Sequence, residues 1–488
     1  MTARLRAILF PPPNHENTDN PLGSAFALTV LAVFVQGLTR LGYSILVARL
    51  LGQEALSDVN TVISLASLLV LLWPQAGGTT VSKFTAMARS RQNPVEQAAV
   101  GAFAARGVAA ATAGLAAVAA AWAAFSLHLP WYYALSAGML LIALSAYNFV
   151  RGVRTGNNQF VTTTAWDALS SFVSLTSLTL VLLAGWTPWL LAPLILGYLL
   201  YSLPAWPRRS GTVPPPELRR EMLVFTAWTS VHLLTSTGLL QLSVIIGRTI
   251  DSTGVHGLYV AAVALATPAS MLSASMLTAL SPSIARMYGA GDREGFRAQV
   301  DRIMRIMVAV FLPVFAVGIF WADALMLLVY GADYAAGGSL LVLLFAAVSC
   351  TSFNAATSRL SGTVAWGVKV LALANGAGLT VGVTTIYALA PTLGVTAAAV
   401  GYLAGAALAA AVPLVVVWRL DAMPWTGLVV RILIGYALVL GGLAILPEEP
   451  VWWQSAAVTA GFLGVWAGLS WRDAGPPLRA LAARVRRG

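Results

Sequence analysis

Mostly apolar stretches long enough to cross a bilayer recur from Leu22 almost to Trp471, with only short polar breaks between them. A helix needs about 20 such residues to cross roughly 30 Å of hydrocarbon, so each stretch is read as a span. The chain has 488 residues, of which 58% are hydrophobic and only 10% charged. Soluble domains carry about 25% charged residues. So few charges cannot coat a globule of this size, and the apolar surface must face lipid. The fold class is therefore all-α: a polytopic membrane protein of about fourteen transmembrane helices. The expected spans are 22–50, 57–82, 96–125, 131–152, 159–184, 186–206, 221–247, 256–284, 299–321, 336–358, 366–390, 394–418, 425–446 and 452–471. The first apolar run is longer than the roughly 7–15-residue core of a signal peptide, and it is read as an uncleaved span.

The distribution of charge tests that count. Of 29 Lys and Arg residues, 25 fall on alternate connections, from Arg4 and Arg6 through Lys83 and Arg89, Arg151 and Arg154, Arg219 and Arg286 to Arg487. The remaining four are Arg40, Arg49, Arg106 and Arg248. The opposite connections are acidic or neutral, as at Glu54 and Asp58, Asp323 and Asp333, or Glu448 and Glu449. Because Lys/Arg bias sets orientation, both termini are expected in the cytoplasm. The net charge of +11 is spread between spans rather than gathered in a patch, which argues against nucleic acid. Cys350 is the only cysteine, so neither a disulfide framework nor a thiolate metal site is available.

Two halves overlay. Val47-Ala48-Arg49-Leu50 and Ile246-Gly247-Arg248-Thr249 each end a span before a short outer loop, a further span and an inner cation, Arg89 or Arg286. Six spans separate the copies, so the repeat is parallel, an arrangement from which transporters build a central cavity. Pro74, Pro193, Pro268, Pro313 and Pro413 fall inside spans, where proline removes a backbone donor and kinks a helix. Gly401-x-x-x-Gly405 lets helix backbones approach closely, most simply within one chain.

Charge inside the membrane is costly and usually faces a wet cavity or a partner. Arg40 lies deep in the first span, Arg106 lies inside the third, and His232 is near the middle of the seventh. Arg49 and Arg248 occupy matching outer positions, where snorkelling into headgroups competes with a cavity role. Asp167 is the one carboxylate placed well inside the hydrocarbon, either as a counter-ion for Arg106 or Arg151 or as an ion-coupling group. Several arginines against one carboxylate make a cationic interior suited to phosphate, which the guanidinium fork matches. No glycine-rich phosphate loop followed by Lys-Ser/Thr is present, and the four histidines are scattered. No cofactor, metal site or catalytic residue is expected, and the outer loops are too short for a catalytic domain.

Four stretches resemble one family. Gly42-Tyr-Ser-Ile-Leu-Val-Ala-Arg-Leu-Leu-Gly52, Arg286-Met-Tyr-Gly-Ala-Gly-Asp-Arg-Glu-Gly-Phe296, Leu328-Val-Tyr-Gly-Ala-Asp-Tyr334 and, most weakly, Gly77-Gly78 carry the likeness. The chain resembles the polysaccharide biosynthesis branch, with its O-antigen flippases, of the multidrug/oligosaccharidyl-lipid/polysaccharide exporter superfamily. It is also similar to lipid II flippases. The resemblance implies two six-helix lobes, 1–210 and 211–420, around a central cavity, followed by two further helices and a basic tail, 421–488. It implies alternating-access flipping of a polyprenyl-diphosphate-linked saccharide across the bacterial cytoplasmic membrane. Membrane lipids and, in some pathways, a polysaccharide polymerase or glycosyltransferase would be its partners. The family's cationic cavity maps by position onto Arg40, then Arg49 and Arg248. Two rival readings are a multidrug and toxin extrusion-type cation antiporter, disfavoured because span 1 lacks a carboxylate, and a non-transporting scaffold of a polysaccharide assembly complex.

Overall fold

A computed structural model describes residues 22–207, 212–251, 254–289, 293–352, 356–357, 359–360, 366–447 and 450–485, with side chains described outside 22–34, 272–289 and 472–485. The described chain is helical from end to end. Among its residues, twelve helical stretches are long and apolar enough to cross a membrane, so this is a multi-pass membrane protein. The first of them continues through what sequence reads as the loop between spans 1 and 2. Helix α1 (Leu22–Leu72) contains a non-helical break at Gly52 (φ 84°, ψ −171°), which separates two spans. That backbone region is essentially closed to residues with a Cβ, which is why glycine ends the Ala-Arg-Leu-Leu-Gly run. The C-terminal helix, Trp452–Val485, contains the stretch read as the fourteenth span.

The chain divides into two compact units after Val260. In the first, α2 (Pro74–Ser90) follows a break at Trp73, with Pro74 at its start. The expected second span is therefore not one kinked rod. Pro74 lacks the amide hydrogen that the ladder needs, so the helix stops and restarts, as proline at a first helical turn allows. Asn93 caps α3 (Pro94–Ala121) by accepting a 3.0 Å hydrogen bond from the Glu96 amide. Helix α4 (Trp131–Gly156) packs against α1, α2, α3 and α6 (Ala192–Ser202), while α5 (Phe160–Leu183) lies against α1 and α6. Pro193 lies inside a span, Thr187–Ala205, as expected, but it opens α6 rather than kinking it. The Gly77-Gly78 pair marks a tight crossing: a Cβ on Gly78 would lie 2.6 Å from the Asn148 carbonyl oxygen, and one on Gly152 would strike the Gly78 carbonyl. Helix α7 (Pro216–Ile250) packs on α1 and α2.

Helix α8 (Gly254–Gly289) precedes the second unit's α9 (Arg293–Phe320), α10 (Ala322–Tyr330), α11 (Gly338–Ser352), α12 (Gly367–Leu393), α13 (Thr396–Leu420), α14 (Thr426–Ile445) and α15 (Trp452–Val485). Pro313 and Pro413 lie inside α9 and α13 as expected. Helices α12 and α13 form a close pair through Gly401 and Gly405, where a Cβ on Gly401 would lie 2.6 Å from the Gly382 carbonyl oxygen and one on Gly378 the same distance from that of Gly405. The small-residue motif thus serves packing within the chain. Helices α14 and α15 both rest on α9, and the Trp466 indole donates to the Ala309 carbonyl at 3.1 Å. In the Tyr-Gly motif, Gly331 at φ 106° ends α10 and turns the chain so that Tyr330 and Tyr334 are both buried, their rings 5.3 Å apart.

Candidate functional site

The polar side chains of the first unit gather where α1, α4, α5 and α6 meet. Each helix contributes because its opposite face is apolar, which leaves the few polar positions to pair with one another inside. Asp167, 2% exposed, accepts a 2.8 Å hydrogen bond from the Tyr147 hydroxyl. Its second oxygen, Oδ2, lies 3.8 Å from Nη2 of Arg151. Nη1 of Arg151 donates to Gln36 Oε1 at 3.2 Å and to the Tyr147 hydroxyl at 3.3 Å. The Tyr147 ring sits between Tyr198 and Tyr201, with centroids 5.0 and 4.6 Å away. One turn further along α4, Arg154 is buried with its guanidinium 4.4 Å over Tyr201 and 5.2 Å over Trp166, and Nη2 donates to the Tyr201 carbonyl at 3.4 Å.

Arg40 enters the same cluster from α1. It lines a small cavity of about 20 Å³ together with Gln36, Tyr147, Asp167, Ser174 and Tyr198. Its Nε is buried and meets no hydrogen-bond acceptor among the described residues. Arg40, Arg151 and Arg154 therefore share a single carboxylate, Asp167, and the surplus in this interior is positive. Burying cations without compensating charge is expensive, so such a surplus favours an anion that supplies it.

The other expected site residues lie elsewhere. Arg106 is exposed on α3, its Nε donating to the Ala102 carbonyl at 3.3 Å, and the counter-ion of Asp167 is Arg151. Arg49 and Arg248, matched by the repeat, have different surroundings: Arg49 is exposed, whereas Arg248 Nη2 meets Asp58 Oδ1 at 2.7 Å. His232 is half-buried on α7, with Nδ1 lacking a hydrogen-bond partner among the described residues. Gln36 joins the cluster, whereas Asn148 bonds back to its own helix at the Leu144 carbonyl. Arg286, Asn354 and Glu448–Glu449 fall outside the described side chains.

Sequence reading offered Arg151 as one of two counter-ions for Asp167, and it missed the role of Arg154. It counted both among the cations of a connection, whereas α4 runs on to Gly156, half-buries Arg151 and buries Arg154. Their i, i+3 spacing and the tyrosines of α6 were the available signals. His256 was likewise left among scattered histidines. It is fully buried, with Nδ1 2.7 Å from the Ser57 hydroxyl and Nε2 2.9 Å from the Val244 carbonyl oxygen. The carbonyl can only accept, so Nε2 carries the hydrogen and Ser57 donates to Nδ1.

Residues 141–336, which include α5, α6, α7 and most of α4, match the family model described as lipid II flippase MurJ. No curated relative matches the sequence. Among solved structures, the lipid II flippase MurJ in an inward closed conformation is similar with a TM-score of 0.69 at 12% identity, covering 92% of this chain and 99% of its own. An inward-facing multidrug resistance MATE family transporter of the MOP superfamily gives a TM-score of 0.61 at 14% identity, over 81% of this chain and 98% of that one. A eukaryotic MATE transporter gives 0.54 at 18%, over 82% and 97%. The chain thus has the fold of these flippase and MATE transporters along most of its length, and its middle matches the lipid II flippase MurJ family model.

Proposed function

We propose that this transporter flips a lipid carrying a saccharide on a diphosphate from the inner to the outer leaflet of the bacterial cytoplasmic membrane. The observation that carries this reading is the cation surplus of the first unit: three buried or half-buried guanidiniums, Arg40, Arg151 and Arg154, with one carboxylate among them. A diphosphate is the group that such a surplus recruits, through charge-assisted bonds to the guanidinium fork. Arg40 is the residue offered to it, since Arg151 and Arg154 already have partners. The family model matched over residues 141–336 supports a cell-wall precursor as the cargo. An organic cation would be repelled by the same charges, which disfavours drug–cation exchange.

The lobes are proposed to be 1–210 and 211–420, with 421–488 as an appended pair of helices and tail, and transport to proceed by alternating access. Both termini are placed in the cytoplasm by the Lys/Arg bias. A polymerase or glycosyltransferase would act on the delivered saccharide.

The test is depletion of the protein followed by analysis of lipid-linked intermediates. A polyprenyl-diphosphate saccharide should accumulate on the inner leaflet. Unchanged lipid-linked glycans together with lost efflux of an organic cation would replace this reading with an antiporter. Unchanged glycans with loss of a bound assembly partner would replace it with a scaffold.

A further inference from the structure

We infer that a second site, between α2, α3 and α7, holds the phosphate of an anionic phospholipid. A cavity of about 440 Å³ lies there, walled by Trp73, Phe103, Val213 and Leu223, with Arg106 of α3 and Arg219 of α7 both lining it. Among the described residues no carboxylate lines it; Glu217 and Glu221 line a neighbouring groove instead. The Nε of Arg219 is buried without a hydrogen-bond partner among the described residues, and Arg106 bonds only the carbonyl of Ala102 on its own helix. Two guanidiniums thus face apolar walls with no protein anion between them.

The remaining polar groups decide what kind of anion fits. The hydroxyls of Thr80 and Thr226, the only ones on the walls among the described residues, are 2.8 Å from each other and donate to the Ala76 and Met222 carbonyls. The guanidiniums only donate and the described walls carry no carboxylate or amide side chain, so most O–H donors of a saccharide would lose their hydration uncompensated. A phosphate followed by acyl chains satisfies both the cations and the walls. The volume suits a buried headgroup, since ligand cavities run to roughly 300–1,000 Å³. A zwitterionic headgroup would bring an ammonium against the two arginines, so the ligand carries net negative charge, as basic pockets between membrane helices select. This site is separate from Arg40 and does not rest on the flippase reading.

The test is native mass spectrometry of the purified full chain with added phosphatidylglycerol, phosphatidylcholine or polyprenyl diphosphate. Wild type should retain phosphatidylglycerol and release phosphatidylcholine. The double variant Arg106→Gln/Arg219→Gln should bind it about ten- to a hundredfold more weakly, the scale of lost charge-assisted bonds. Arg91→Gln, removing an exposed arginine paired with Glu96, should bind as wild type. Equal retention of phosphatidylcholine, or undiminished binding by the double variant, would overturn the inference. So would displacement of phosphatidylglycerol by equimolar polyprenyl diphosphate. If the double variant does not fold, brominated phosphatidylglycerol added to wild type and to Trp73→Phe decides the matter. Quenching of Trp73 supports the site, and identical quenching of the two proteins contradicts it.

Discussion

Nη2 of Arg248 lies 2.7 Å from Oδ1 of Asp58, although 190 residues separate them and both side chains are largely buried, at 11% and 14% exposure. Beside this pair, Ser57, His256 and the Val244 carbonyl form a second buried link between α1, α7 and α8. The ion pair joins α1 to α7, and the second contact adds α8, at adjacent residues 57 and 58 of α1.

Asp58→Asn and Arg248→Gln should therefore each destabilise the protein. The loss is about 2 kcal/mol each, within the range for hydrogen bonds to charged groups. Thermal unfolding in detergent of both single variants and the double variant checks this. The double variant should lose less than the sum of the two, because the lone charge that each single variant strands is then gone.

Asp167 is held by Tyr147 and Arg151 and is expected to act as a structural counter-ion. Asp167→Asn should lower the yield of folded protein, since stripping one partner from a buried pair costs about 3–5 kcal/mol. Transport per folded molecule should change less. A normally folded Asp167→Asn protein without transport would instead assign this carboxylate to ion coupling.

Arg359, 4% exposed, grips Asp421 with Nε–Oδ2 and Nη2–Oδ1 contacts of 2.7 and 2.9 Å. Arg359→Lys keeps the charge and loses the fork, so it should destabilise the second unit by about 1–2 kcal/mol. Arg91→Lys, at an exposed pair, should be neutral in the same unfolding measurement, as surface pairs contribute at most about 1 kcal/mol.

In the orientation proposed from the Lys/Arg bias, the turn before α15 lies outside the cell. In a Cys350→Ala background, Val451→Cys should react with an impermeant maleimide added to intact cells. Reaction only after the inner membrane is permeabilised would reverse the proposed orientation.

What sequence revealed here follows from what is local. Spans are set by unbroken apolar length, and Gly52 and Gly331 stand in their motifs because each turn needs a positive φ. Gly401 and Gly405 announce a close helix pair for the same kind of reason, since only a small residue permits the approach. The charge network was less legible. Gln36, Tyr147, Arg151, Asp167 and Tyr201 come from four helices, and which of them meet depends on how each helix is rotated about its axis. Apolar length does not carry that rotation. Arg154 was harder still, because an arginine near a span's end ordinarily marks water, and only the rings of Tyr201 and Trp166 show otherwise.

The central claim is that Arg40 offers its guanidinium to the diphosphate of a lipid-linked saccharide. The most direct measurement is translocation of that lipid in proteoliposomes by equal amounts of folded wild type, Arg40→Ala and Arg40→Lys. The account predicts that Arg40→Ala loses about a hundredfold or more in apparent affinity, the equivalent of a charge-assisted contact with phosphate, and that Arg40→Lys recovers only part of it. Wild-type translocation by Arg40→Ala would contradict the account.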